Sequence, residues 1–372
     1  MNDSKPSILK QVPPHLQNIS PYIPSKPDDI LRKLFNAPFL YRMNNNENVL
    51  GPPQAAIDAI ASFDPVLIAQ YPSGDSYYLR HRLSQLSGLS IDSFIIGNGA
   101  NEGVNSIIHA FCKPGDNIIT ADKTFSVYEW VAEFSEIKTK LIPLKNNGFD
   151  SDAILTGRDK KTKIIYLCNP NNPTGTYWSE KKLCNFLDMV RGEQIVVIDE
   201  AYAEYVMALD YPDGVKLISR YPNLVVFRTF SKMYGLASLR IGYLASSPMV
   251  ADVIRRTSPV YSVNALAQAA ALGVLSDDGT HVRNTRSMIT ESRHYVECEL
   301  DKMGLEYTSG EGNFILIKTP ISDTLLYRRL MHYGYMVRPM TQFRFPNYIR
   351  VTFHQVQVMK EFLSALPKCI WK

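Results

Sequence analysis

The sequence predicts an α/β chain, with a mainly parallel central sheet wrapped in helices and then a smaller α+β C-terminal domain. Three observations predict it. Between about residues 46 and 265 the runs SFIIG, NIITA, KIIYLC, QIVVID and NLVVFRT alternate with longer amphipathic stretches, as buried parallel strands joined by helical crossovers do. From 266 onward the pattern changes to long helices mixed with a few strands. At 372 residues the chain also exceeds what one core ordinarily supports, so a large and a small domain are expected.

Residues 1–45 come first. They carry Pro6, Pro13, Pro14, Pro21, Pro24 and Pro27, a density that disfavours continuous helix and predicts an extended arm lying on the body of the protein. Residues 46–265 hold the five apolar runs and form the large domain. Residues 266–372 form the small one: the helices ALAQAAALGVL and THVRNTRSMITESRHYVECELDKMG, the strands NFILIK, YMVRP and YIRVTF, and a last helix, VMKEFLSAL.

Composition excludes several classes of function. With 45% hydrophobic and 20% charged residues and a net charge of +4, the chain reads as an ordinary globule with no basic patch for nucleic acid. Its five cysteines are odd in number and lack metal-type spacing, which points to reduced thiols and a cytoplasmic location. No apolar stretch reaches the roughly 20 residues that span a membrane, and the polar first residues do not read as a secretion signal. None of the seven histidines falls in a metal-like or triad-like arrangement.

The chemistry lies at the strand ends. SFIIG runs into GNGANEG, NIITA into DKTFSVY and KIIYLC into NPNNPTG, while QIVVI delivers Asp199 and NLVVFRT delivers Ser231 and Lys232. Ligands of open α/β sheets bind beyond the carboxyl ends of strands, so five strand ends converge on one site. Lys232 sits just past a buried strand and eight positions before Arg240, a pairing that suits a lysine condensing with an aldehyde cofactor whose phosphate the arginine holds. GNGANEG opens a helix, which aims the backbone amides of Ala100 and Asn101 at an anion. Its glycines do not fit the dinucleotide-binding fingerprint.

GNGANEG, CNPNNPTGT, VVIDEAY, RTFSKMYGLASLRIGY and YIRVTF, in this order and spacing, resemble the fold-type I pyridoxal-phosphate aminotransferases of class I/II. The resemblance implies pyridoxal 5'-phosphate as cofactor and Lys232 as the lysine that carries it. Asp199 would pair with the protonated ring nitrogen, Tyr202 and Asn172 would face the ring's phenolic oxygen, and Phe125 would stack on the ring. Ala100, Asn101, Thr229, Ser231 and Arg240 would hold the phosphate. Arg350, on the polar face of YIRVTF, and Arg338, in MVRPM, suit a substrate anion, and either carboxylate or phosphate fits the guanidinium fork.

ISPYIPSKPDDILRKL, NNNENVLGPP, AQYPSGDSYYLRHRL, NALAQAAAL, GNFILIK and VRPMTQFRFPNYIRVTF narrow the resemblance to the histidinol-phosphate aminotransferase family, from about residue 19 to 365. It implies a homodimer in which Tyr71 reaches the phosphate of the neighbouring subunit's cofactor and Tyr22 closes the substrate pocket. The implied substrates are glutamate/2-oxoglutarate and histidinol phosphate/imidazole acetol phosphate, in histidine biosynthesis. Departures fall on the substrate side: YPSGDSYYLR for YPDGGGYALR, Lys123 for a proline, VYSVN for PFNVN and TFHQ for TVGT. An aromatic amino-acid aminotransferase and a threonine-phosphate decarboxylase therefore stay open as alternatives. A non-catalytic regulator that senses the cofactor would bring a DNA-binding module, and no spare helical segment of about 60 residues exists for one.

Overall fold

The computed structural model describes residues 7–17, 19–21 and 25–371. Its strands are β1 (Tyr41–Arg42), β2 (Phe94–Gly97), β3 (Asn117–Ala121), β4 (Lys138–Ile142), β5 (Thr162–Cys168), β6 (Ile195–Asp199) and β7 (Leu224–Thr229). They continue with β8 (Gly242–Ser246), β9 (Tyr307–Ser309), β10 (Phe314–Lys318), β11 (Tyr335–Met336), β12 (Arg338–Pro339) and β13 (Tyr348–Thr352).

Seven strands form the large sheet in the order β2-β8-β7-β6-β5-β3-β4. From β7 to β4 every pairing is parallel, and β8 runs antiparallel to both β2 and β7. The five apolar runs are β2, β3, β5, β6 and β7. In β3 all five residues are buried, as expected when helices cover both faces. Two further strands lack that signature. β4 is the exposed edge and reads KTKLI, and β8, GYLAS, begins at a glycine directly after the Arg240 turn.

The register sets the site. Cys168 lies opposite Asp199, and Asp199 opposite Phe227, so β5 and β6 end at one level and β7 runs two residues further, to Thr229. The segments leaving them begin there.

The second sheet, β12-β13-β10-β9, is antiparallel. β1, in the N-terminal segment, pairs in parallel with β11 of this half, Tyr41 opposite Tyr335. Before it, Asp28–Phe35 is a helix where an extended arm was expected. No proline falls inside it, Pro27 standing at its N-cap and Pro38 beyond its end, and two aspartates occupy its first turn with Arg32 and Lys33 in its last, all of which favour helix. One core surrounds the large sheet. A second surrounds the small sheet and takes in Tyr202, Tyr205 and Met233 from beside the large one, so the two cores meet where the strand ends open.

Candidate active site

β7 ends at Thr229 and the chain turns through Phe230 and Ser231 to Lys232. The half-buried Lys232 donates from Nζ to the backbone carbonyl of Asn45 at 2.6 Å. Burial pushes its pKa down to about 8, helped by the Arg350 and Arg240 guanidiniums, while Glu47 and Asp199 pull the other way.

Asn45 belongs to a strap, residues 44–48, that crosses from the small sheet to the large one. The Asn44 carbonyl accepts from Arg350 at 2.5 Å. Asn46 donates from Nδ2 to the Tyr202 hydroxyl at 2.8 Å, and Asn48 donates from Nδ2 to the Met233 carbonyl at 2.6 Å. One short segment thus touches the lysine, an arginine and a tyrosine of the predicted site.

Asp199, at the end of β6, is 4% exposed. Burial pushes its carboxyl above the ordinary aspartate range, and the Tyr128 hydroxyl and the Ala201 N–H draw it back. Those two donors lie 2.5 and 3.0 Å from Oδ2 and Oδ1. Tyr128 is absent from the residues singled out in the sequence, although it closes the motif DKTFSVY. Phe125 of that motif is half-buried and meets Tyr128 edge-on, with ring centroids 5.6 Å apart. The turn is tied to NPNNPTG, since Thr124 donates to Asn171 Oδ1 at 2.7 Å and Asn171 Nδ2 donates to the Lys123 carbonyl at 3.2 Å. Asn172 Oδ1 accepts from Arg350, which leaves its Nδ2 as the donor end. Burial raises the Tyr202 phenol.

On the other side of Lys232 the helix Ala100–Phe111 begins at Gly99, with no side chain capping it. Gly99 has φ +79°, and a Cβ there would lie 2.3 Å from an Arg240 guanidinium nitrogen. Only a glycine lets the arginine settle against the helix start. Arg240 donates to the Ser231 hydroxyl at 3.4 Å, and the Ser231 N–H donates to the Thr229 hydroxyl at 3.1 Å. Arg240, Ser231 and Thr229 therefore gather beside the first turn of this helix, which begins at Ala100 and Asn101.

Arg350 and Arg338 face each other across β13 and β12. Arg350 is 5% exposed, lies over the Phe314 ring at 5.5 Å and has no partner for Nε. Burial pushes its pKa down to about 10. Arg338 lies over the Phe343 ring at 5.6 Å. Among the described residues, Lys232, Arg240, Arg338 and Arg350 form no ion pair with a carboxylate. Cations gathered without carboxylate partners favour an anionic ligand.

Two expectations fall elsewhere. Tyr71 is 85% exposed, with its ring 5.1 Å from that of Tyr261, and Tyr22 lies outside the described residues.

The profile of the family described as Aminotransferase class I and II matches residues 40–366. The chain belongs to this family. Over 365 residues, 98% of each chain, this aminotransferase is 36% identical to histidinol-phosphate aminotransferase 2 of Pseudomonas fluorescens. Its fold matches that of the histidinol-phosphate aminotransferase of Sinorhizobium meliloti solved in complex with pyridoxal-5'-phosphate, with TM-score 0.86 and 23% identity over 97% of this chain and 98% of that one. It also matches the L-threonine-O-3-phosphate decarboxylase of Porphyromonas gingivalis, with TM-score 0.79 and 22% identity over 90% and 100% of the two chains. Identities that low speak for the fold alone. In the described residues of the aminotransferase no helix is long and apolar enough to cross a membrane.

Proposed function

We propose that this aminotransferase holds pyridoxal 5'-phosphate and moves an amino group between the glutamate/2-oxoglutarate pair and the histidinol phosphate/imidazole acetol phosphate pair, as a cytoplasmic homodimer. The observation that carries the reading is the set of cations without carboxylate partners: Arg240 at an uncapped helix start, and Arg350 and Arg338 side by side. One phosphate and one substrate anion answer them.

The donor set fits the cofactor. Arg240, Ser231, Thr229 and the amides of Ala100 and Asn101 would hold its phosphate, Asp199 its protonated nitrogen, and Tyr202 with the Nδ2 of Asn172 its phenolic oxygen, with Phe125 beside the ring. Bound there, the cofactor supplies an aldehyde to take up the amino group and a protonated ring to withdraw electrons.

The protein does the rest. A buried carboxylate with no cation of its own, Asp199 stays charged by facing a positive nitrogen. Lys232, pushed down to about pKa 8, would accept at Nζ the proton lost from the substrate carbon that bears nitrogen and would deliver it to the carbon that receives the amino group; a general base works best with a pKa near the working pH. Arg350, anchored by Asn172 and Asn44, orients the substrate's anionic group. Arg338 supplies a second cation for phosphate. The 36% identity over nearly the whole chain to a histidinol-phosphate aminotransferase supports the substrate pair.

A panel of amino donors and acceptors on the purified protein tests this, beside Lys232→Ala, which should abolish turnover. Preference for phenylalanine or tyrosine over histidinol phosphate would overturn the substrate assignment and leave the aminotransferase. Release of carbon dioxide from threonine phosphate would point to the decarboxylase instead.

A further inference from the structure

We propose that Tyr128 is a positioning residue for Asp199: its hydroxyl, aimed by the stack of its ring on Tyr166, fixes one oxygen of the carboxylate that faces the cofactor's nitrogen. The proposal rests on the cofactor reading above and goes beyond it, because Tyr128 touches neither cofactor nor substrate in that reading.

The geometry is specific. Tyr128 is fully buried, and its ring lies parallel to that of Tyr166, with centroids 4.7 Å apart and planes 9° from each other. Phe125 closes the free edge, 83° to Tyr128. A ring held on its face and edge cannot swing its hydroxyl away. That hydroxyl donates to Asp199 Oδ2 at 2.5 Å, a length typical of a hydroxyl bonded to a charged acceptor. Oδ1 is fixed by the Ala201 N–H, so both oxygens are held and the carboxylate plane is set by two elements, the helix Val127–Phe134 and the segment after β6.

The second consequence is charge. Burial favours the neutral acid, and the two donors favour the anion. The ionisable groups facing Asp199 are Tyr128 from its helix, Cys168 from β5, Tyr202 from the following segment and Lys232 from the turn after β7. Of these only Tyr128 donates a hydrogen bond to it. Without that hydroxyl the Asp199 pKa rises, and the ionised form is lost at a higher pH.

Tyr128→Phe keeps both ring contacts and deletes only the hydroxyl. Cofactor-free wild type and variant are titrated with pyridoxal phosphate and followed by absorbance, and the acid limb of kcat is measured for the loaded proteins. The expected result is affinity weakened by about tenfold or more, as for loss of a charge-assisted bond, and an acid limb displaced to higher pH. In the Asp199→Asn background the same change should have no further effect on affinity. Tyr128→His, which returns a ring N–H donor, should recover part of the acid limb and guards against a variant that merely folds poorly. Wild-type affinity and acid limb in Tyr128→Phe, or an equal loss in the Asp199→Asn background, overturn the proposal alone. Wild-type protein that takes up no pyridoxal phosphate overturns this proposal and the cofactor reading together.

Discussion

Lys232 and Asn45 stand 187 positions apart in sequence, and the amine of one donates to the backbone carbonyl of the other at 2.6 Å. The bond joins the end of β7 to the strap that comes up from the small sheet. A carbonyl can hold the amine in either protonation state, whereas a carboxylate would lock it as the cation. Burial and the nearby arginines are then free to lower the lysine toward neutrality.

The first prediction follows. In cofactor-free protein Lys232 should become reactive to an amine-directed reagent with a midpoint near pH 8, since its pKa is pushed down to about 8. Below that midpoint the ammonium is unreactive, and above it the free amine reacts. Arg350→Met removes a neighbouring cation that disfavours the ammonium, so the midpoint should move up. Peptide mapping across a pH series reads both effects. A wild-type midpoint near that of an exposed lysine would mean the amine is not desolvated.

A second prediction concerns Gly99. Gly99→Ala places a methyl 2.3 Å from an Arg240 nitrogen, in a backbone with φ +79°. That backbone, with ψ 172°, is essentially reserved for glycine and costs another residue about 1–3 kcal/mol, and the displaced guanidinium is a further loss for a bound phosphate. Gly88→Ala, at a left-handed φ +77°, ψ 1° with nothing within 4 Å, is the control for a strained backbone without a neighbouring guanidinium. Both variants should lose stability in thermal melts, and Gly99→Ala alone should lose affinity for pyridoxal phosphate. Equal affinities in the two would remove Arg240 from the proposed phosphate site.

The contrast between Gly99 and the strap marks what a sequence can and cannot tell. GNGANEG, NPNNPTG, Asp199 and Lys232 were legible because each follows an apolar run whose burial forces it to the sheet's edge. The strap was not, because two of its contacts are made by the backbone carbonyls of Asn44 and Asn45, groups every residue carries. Tyr128 reads like any core aromatic until its hydroxyl meets Asp199. β4 escaped because an exposed edge strand needs no continuous apolar run, and β8 because GYLAS is broken by glycine, tyrosine and serine although it is largely buried.

The third prediction addresses assembly. Val66, Ile68, Tyr71, Tyr78, Val260 and Tyr261 are all more than half exposed, and the Tyr71 and Tyr261 rings touch. Such apolar exposure suits a subunit interface, so sedimentation should give a dimer. If Tyr71 completes the partner's site, mixing Tyr71→Phe subunits with Lys232→Ala subunits creates heterodimers with one intact site, and activity should exceed that of either parent. Exchange without any recovery would confine Tyr71 to a structural role.

The last prediction separates the two arginines of the small sheet. Arg350 spends one terminal nitrogen on Asn172 and the other on the Asn44 carbonyl, and its Nε has no partner. A lysine at this position has a single nitrogen and cannot keep both anchors while meeting a substrate anion. Arg350→Lys should therefore weaken glutamate and histidinol phosphate together, by about 1–3 kcal/mol each in kcat/KM. Arg338, across the strand pair, lies over the Phe343 ring and, among the described residues, meets no carboxylate. It is placed to assist the larger, more highly charged phosphate, so Arg338→Ala should cost histidinol phosphate more than glutamate. Measuring kcat/KM for both substrates in wild type and the two variants gives the comparison. Equal losses for the two substrates in Arg338→Ala would show that the second arginine does not discriminate phosphate from carboxylate, and a loss confined to histidinol phosphate in Arg350→Lys would mean that glutamate binds elsewhere in the cleft.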